Sequence, residues 1–217
     1  MANKAVKVLL VDDHPTFREG LRSLISHIDG FRICGEAGGE PEAMGLLTTH
    51  SPDMMVVDLN LKEGSGLKLI KRARRANPSL NILVASMYEE SIYGERAINA
   101  GANGYICKAD PPELLLEAIT QVSHGKPFYS RRLASRLTDG NRAADANDST
   151  NPEDALSDRE LQVFGLIGSG LSTREIADKL HLSPKTVDSH REHIKRKVGI
   201  SDNVRLVHRA VEWVLSR

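Results

Sequence analysis

Residues 6–21 read VKVLLVDDHPTFREGL. The valine-rich apolar run Val6–Val11 has the composition of a central parallel strand, buried on both faces. It stops at paired aspartates. Pro15 then suits the first turn of a helix in which Phe17, Leu21, Leu24, Ile25 and Ile28 recur at helical spacing. One strand–helix unit is thus written out in full, and the same alternation returns four more times downstream. A strand at 31–36 precedes a helix at 40–49, and Met54–Asp58 precedes a helix from about Gly66 to Ala76. Asn81–Ser86 precedes a helix near Glu89–Ala100, and Gly104–Cys107 precedes one opened by Asp110, Pro111 and Glu113. Five such units in succession predict an α/β doubly wound, five-stranded parallel sheet of order 2-1-3-4-5, with ligands at the carboxyl ends of its strands.

The pattern then changes. Thr138–Asp154 (TDGNRAADANDSTNPED) has no periodic apolar residue, so it buries too little to offset its ordering entropy and reads as a flexible linker, entered through a short helix at Arg131–Leu137. Beyond it every segment is helical. Ser157 with Glu160, and Ser172 with Glu175, form capping-box pairs. Ser183 precedes Pro184 as an N-cap before a favoured first-turn proline, and Ser201 precedes the last apolar-periodic segment. The expected organisation is an α/β domain over residues 1–127, a partly flexible linker over 128–154, and a small all-α four-helix domain over 155–217.

Composition narrows the class. The 217 residues carry 29 basic and 29 acidic side chains, so overall charge advertises no nucleic-acid partner; 40% apolar and 27% charged residues describe an ordinary soluble protein. The apolar run Val8–Val11 is too short for a signal-peptide core, and no stretch has the length of a membrane span. Two cysteines, Cys34 and Cys107, supply neither a disulfide framework nor a zinc set. These features predict a reduced, cytoplasmic chain with no membrane partner.

With strands one and three adjacent, Asp12, Asp13 and Asp58 converge at one sheet edge, where three carboxylates would repel one another. A hard divalent cation such as Mg2+, which prefers oxygen ligands, relieves that repulsion. Lys108 ends strand five and Ser86 ends strand four, so an ammonium and a hydroxyl reach the same edge. Together these groups can bind a metal and a phosphoryl group. An aspartate at a strand–helix junction is, taken singly, more often a turn or cap residue, but five matching strand ends favour a site. His14 reads as a capping neighbour, because no second histidine is near. Gly64-Ser65-Gly66 reads as a turn, being a poor match to a nucleotide-binding loop.

On LLVDDHPTFREGL, VVDLNL, Ser86 and GYICK, residues 4–125 resemble the receiver domain of two-component response regulators. The resemblance implies that Asp58 is the phosphoacceptor, served by a sensor histidine kinase. It further implies that Asp13, Asp58 and the Asn60 backbone carbonyl hold Mg2+, with Asp12 completing the acidic pocket. Ser86 and Lys108 would engage the phosphoryl group, and Tyr105 would be the aromatic that turns inward on activation. Two positions depart from many receivers: Leu61-Lys62 replace Met-Pro, and Ala109 replaces the proline after the lysine.

In the helical domain, Val187, His190, Ile194 and Val198 fall on one side of the segment Lys185–Val198, while Lys185, Asp188, Ser189, Glu192 and Arg196 fall on the other. Five basic and two acidic residues lie between Ser183 and Val198. A charge run alone usually marks a solvated face. Combined with a preceding short helix, a tight turn and capping serines, it predicts a helix-turn-helix. The stretch from Leu156 to Ile200 resembles the LuxR-type helix-turn-helix of the NarL/FixJ subfamily. That resemblance makes 183–198 the recognition helix in double-stranded DNA, with Lys185, Asp188 and Ser189 facing bases and Thr186, Arg191, Lys195 and Arg196 contacting phosphates. Val204, Val207, Val211 and Val214 form an apolar stripe, part of it core; in that family the final helix pairs two domains, so a homodimer is expected.

The expected function is therefore a phosphorylation-dependent, DNA-binding transcription regulator, not an enzyme. A small-molecule-sensing regulator is the nearest alternative. An aspartyl-phosphate hydrolase fits less well, because Asp12 and Asp13 are adjacent where such enzymes space two carboxylates apart.

Overall fold

All five apolar runs form strands, and each is followed by a helix. In the computed structural model, which describes residues 5–143 and 155–215, the chain divides into two compact units on either side of residues 139–140. The first contains β1 (Val6–Val11), α1 (Pro15–Ser26), β2 (Phe31–Ala37), α2 (Glu40–His50), β3 (Met54–Val57) and α3 (Gly66–Ala76). It continues with β4 (Asn81–Ser86), α4 (Glu90–Ala100), β5 (Gly104–Cys107), α5 (Pro112–Ser123) and the start of α6 (Arg131–Ala143). The sheet is parallel, in the order β2-β1-β3-β4-β5.

Register does the positioning. Val11 pairs with Val57, Val57 with Val84, and Ser86 with Cys107, so the residues that follow the central strands leave the sheet along one edge. Alternate strand residues bury on opposite faces. Val8, Leu10, Met54, Val56, Leu83 and Ile106 pack with Leu21 and Ile25 of α1 and Ile119 and Val122 of α5. Their neighbours Leu9, Met55 and Val84 are equally buried on the other side. Each such side chain contributes roughly 1.5–3 kcal/mol on burial, which holds the strand ends in place as a rigid platform.

After α5 the chain returns to the sheet. Tyr105 N donates to Phe128 O (2.8 Å) and Phe128 N to Asn103 O (3.2 Å), so Phe128 lies along the open edge of β5. Ser130 N donates to Glu90 Oε1 (2.9 Å), Leu133 is buried, and Arg136 donates to Ser91 O (2.9 Å) and pairs with Glu95 (2.8 Å). Residues 128–138, read from sequence as linker, therefore pack against α4, and α6 is longer than the expected 131–137. The remainder of the expected flexible stretch, 144–154, lies outside the described residues.

The second unit contains α7 (Asp158–Gly168), α8 (Thr173–Lys179), α9 (Pro184–Val198) and α10 (Asn203–Leu215). Both capping boxes form as expected, at Ser157/Glu160 and Ser172/Glu175, and Ser183 accepts from Thr186 N. Asp202, not Ser201, caps α10: its Oδ1 accepts from Arg205 N at 2.8 Å. The valine stripe divides along the same helix. The helix's core face is Leu206, Ala210 and Trp213, with Trp213 tilted against Phe164 of α7 (centroids 5.5 Å apart), whereas Val204 and Val207 are 80% and 40% exposed. Val204 and Val207 thus face outward while Val211 and Val214 are partly buried, Val214 lying close to Gly168 of α7. Part of the stripe is core as expected, and the larger Leu and Trp side chains fill the rest of the interior.

Candidate functional site

The edge predicted to be acidic is acidic, and it is tightly knit. Lys108 Nζ, just beyond β5, lies 2.5 Å from Asp12 Oδ2 and 2.6 Å from Asp58 Oδ2, and all three side chains are nearly fully buried. The peptide after Lys108 is trans, and the ammonium reaches both carboxylates with Ala109 in place of proline. Burial pushes the Asp58 carboxyl above its ordinary range; Lys108 opposes that push and Asp12 adds to it. Removing one partner of such a buried cluster costs about 3–5 kcal/mol, so Lys108 is structural as well as chemical here.

Each carboxylate is held differently. Asp12 Oδ1 accepts from the His14 backbone N–H (2.8 Å), and Arg18 Nη1 donates to the Asp12 carbonyl. Asp58 Oδ1 accepts from Asn60 N (3.1 Å), bending the β3–α3 loop around the acid. Asp13 differs: its side chain is only 7% exposed, and its Oδ1 is buried without a hydrogen bond. An anionic oxygen buried without a donor is the feature a cation would satisfy, and the donor set suits a divalent ion. Ser86 is fully buried at the end of β4, where its hydroxyl accepts from Tyr88 N (3.4 Å).

Tyr105 was expected to turn inward on activation. Its ring is already buried, and its hydroxyl donates to the Tyr88 carbonyl at 2.8 Å. Burial raises its pKa well above the ordinary tyrosine value, so the hydroxyl stays a donor.

Three residues of this edge escaped the sequence reading. His14 occupies the N-cap of α1 but makes no side-chain cap; its Nδ1 turns back to Asp13 Oδ1 (2.8 Å) and Asp12 Oδ1 (3.2 Å), drawn by the carboxylates' charge. Phe17 lies under Lys108, with Nζ 4.4 Å from the ring centroid, a cation–π contact that steadies the ammonium. Gly66, read as a turn residue, sits so close to the site that a Cβ there would stand 2.1 Å from the Asp58 carbonyl oxygen and 2.6 Å from Leu59 Cα. Gly64, at φ +93°, is the turn residue it was read to be.

In the second unit α8, a tight turn and α9 form a helix-turn-helix. His181 takes φ +52° in the turn, and Leu182 N donates to Ala177 O (2.8 Å). Arg159 of α7 donates to the Leu180 carbonyl (2.7 Å), and Glu160 binds Lys197 of α9 (2.7 Å), so α7 grips both ends of the motif. Burial pushes the Glu160 carboxyl up, but hydrogen bonds from Lys197 and Ser157 outweigh it and leave the pKa below its ordinary value.

Lys185, Thr186, Asp188, Ser189 and Arg196 are exposed, on the side of α9 opposite the buried Val187 and Ile194. Arg191 is half-buried, and Lys195 is only 12% exposed and paired with Glu192 (2.8 Å), so it is the least available of the expected phosphate contacts. Thr186 shares its hydroxyl with the Ser183 cap (2.7 Å), and Asp188 Oδ1 lies 3.5 Å from the Thr173 hydroxyl. His190, expected in the core, is half-buried; burial and nearby Arg159 lower its pKa, favouring the neutral ring. Among the described residues no helix is long and apolar enough to cross a membrane.

Comparison with known proteins matches both units to known domain families. A family model described as the response regulator receiver domain matches residues 8–120, and one described as bacterial regulatory proteins, luxR family, matches residues 154–210. The chain is 32% identical over 211 residues to the oxygen regulatory protein NreC of Staphylococcus carnosus, covering 95% of this chain and 97% of that one. It is 33% identical over 206 residues to the response regulator GacA of Pseudomonas aeruginosa, covering 95% of each chain. Among solved structures, RcsB from Salmonella enterica serovar Typhimurium, bound to promoter rprA with the phosphomimetic BeF3-, superposes with a TM-score of 0.60 at 25% identity. That match covers 94% of this chain and 98% of RcsB.

Proposed function

Because this chain belongs to the two-component DNA-binding response regulators of the NarL/FixJ type, we propose that phosphoryl transfer from a sensor histidine kinase to Asp58 switches it between two states. A carboxylate oxygen of Asp58 attacks the phosphorus of a phosphorylated imidazole; the P–N bond breaks and the imidazole leaves. Asp13 and Asp58, with the Asn60 carbonyl, would hold Mg2+, and Asp12 completes the acidic pocket. Bound there, Mg2+ would offset charge on the phosphoryl oxygens.

The observation that carries this reading is the convergence on one sheet edge of Asp12, Asp13, Asp58 and Lys108, with Lys108 already 2.6 Å from Asp58. A phosphoryl group adds about −1.5 to −2 charge and new acceptor oxygens, and Lys108 and Ser86 are the donors within the site that would follow it. The hydroxyl of Tyr105 links β5 to Tyr88, so the state of Ser86 is felt in the loop before α4. The change is a population shift: the phosphoryl group need only bind one state better than the other.

DNA would be read by Lys185, Asp188 and Ser189 on the exposed side of α9, with Thr186, Arg191, Lys195 and Arg196 on the phosphates. A homodimer would form through the outward valines of α10, which line an apolar groove with Arg191 and His208. Its half-sites would lie about one helical turn apart. Asp58→Asn tests the core of the reading. It should abolish labelling by a small phosphodonor and phosphodonor-stimulated DNA binding, while a 155–217 fragment still binds DNA. Persistent labelling of the variant would refute Asp58 as acceptor.

A further inference from the structure

His14 belongs to the acidic cluster, and nothing in the proposed switch uses it. The ligand atoms of Asp12, Asp13, His14 and Asp58 all lie within 4.8 Å of one another, close enough to share a single ion. Most of the carboxylate oxygens are already engaged. Asp12 uses Oδ1 on the His14 amide and on His14 Nδ1 (3.2 Å) and sets Oδ2 against Lys108, and Asp58 uses Oδ1 on Asn60 N and Oδ2 on Lys108. Asp12 Oδ2 and Asp13 Oδ1 are both buried without a hydrogen bond; the first has the Lys108 ammonium beside it, whereas the second faces His14 Nδ1, at the N-cap of α1, at 2.8 Å. That contact lacks hydrogen-bond geometry. Two neighbouring ligands of an octahedral ion with bonds of about 2.0–2.1 Å stand about 3 Å apart, which is the separation seen. The imidazole is half exposed, leaving one side of the pocket open for water ligands.

We propose that His14 supplies a nitrogen ligand beside Asp13, so that this receiver binds a divalent first-row transition ion in preference to Mg2+. Mg2+ gains little from an imidazole, because it is a hard ion that favours oxygen. Transition ions accept nitrogen readily, and their affinity for mixed nitrogen–oxygen sites rises along the series from Mn2+. Arg18 supports the arrangement, since its bond to the Asp12 carbonyl fixes the turn that aims His14 back at the sheet edge. The inference rests on Asp13 and Asp58 forming the cation pocket.

The test uses the full chain and Mn2+, whose free and bound forms are distinguished by electron paramagnetic resonance. Wild-type protein should bind Mn2+ more tightly than Mg2+, and the bound ion should show nitrogen modulation that changes on 15N-histidine labelling. His14→Ala should abolish that modulation and weaken Mn2+ by about tenfold or more, while Mg2+ changes by less than about twofold. Bound Mn2+ without nitrogen modulation, modulation that survives His14→Ala, or equal weakening of both ions would overturn the role of His14 and leave the pocket intact. Asp13→Asn separates the two readings: if it leaves Mn2+ binding unchanged, the pocket itself is misassigned.

Discussion

Adding one methyl group at residue 66 should disable the phosphoacceptor site without touching any of its charged groups. In Gly66→Ala the new Cβ would stand 2.1 Å from the Asp58 carbonyl oxygen and 2.6 Å from Leu59 Cα. Ordinary contacts of this kind are about 3.5–4 Å, so the two backbones must separate by more than an ångström. Neither obstacle is a flexible side-chain end. Asp58 N is bonded to Val11 O (2.9 Å) and Gly66 N to Leu59 O (3.1 Å), so the loop and strand end move together or lose these bonds. Overpacking of a well-packed site costs about 1–3 kcal/mol, and the backbone obstacles place this case at or above the upper end.

Gly20→Ala is the matched control. A Cβ at Gly20, inside α1, meets nothing within 4 Å, so helix propensity alone should stabilise that variant by about 0.5–1 kcal/mol. The chain's single tryptophan, Trp213, lies in the second unit and reports its unfolding. A urea transition seen by circular dichroism but silent in Trp213 fluorescence is the receiver's. Gly66→Ala should lower its midpoint and slow phosphodonor labelling, and Gly20→Ala should raise the midpoint with labelling unchanged. Wild-type stability and labelling in Gly66→Ala would refute the claim that Gly66 seats Asp58.

Val204→Asp should leave the thermal unfolding of the helical unit within about 0.5 kcal/mol of wild type, since that side chain is exposed. It should weaken binding to a paired site in fluorescence anisotropy yet spare a single half-site; equal loss on both would argue against pairing through α10. The depressed pKa of Glu160 fixes a second sign. A carboxylate whose folded pKa is lowered contributes stability above its unfolded pKa of about 4.3, and that stability is lost as pH falls through the folded value. Trp213-monitored unfolding should therefore weaken on acidification below about pH 4.5, and Glu160→Gln should be less stable at neutral pH with a flatter acid limb.

The strand ends were legible in the sequence because both faces of a parallel strand are buried. Val6–Val11 and Met54–Val57 announce themselves as unbroken apolar runs, and the first polar residue after each marks the sheet edge. Asp12, Asp58, Ser86 and Lys108 followed from that alone. The caps of α7, α8 and α9 were equally plain, being local side-chain–backbone chemistry within four residues. What the sequence hid depends on contacts between distant segments. Gly66 matters because of where Asp58 passes, and Phe17 because of where Lys108 reaches. On α10, apolar spacing announced a stripe but could not rank two of them. The valines satisfied the period as well as Leu206, Ala210 and Trp213 did, and only packing against α7 chose between them.

The strip of chain around Phe128 sets a practical limit on how this protein can be dissected. A receiver cut at residue 127 would lose the carbonyl that accepts from Tyr105 N, leaving the outer strand bare and apt to recruit another chain. The same cut would remove Leu133 from beside Gly94 and the Ser130 latch from Glu90. Soluble fragments and chimeras should therefore be spliced after residue 138, so that the recipient inherits its own edge guard.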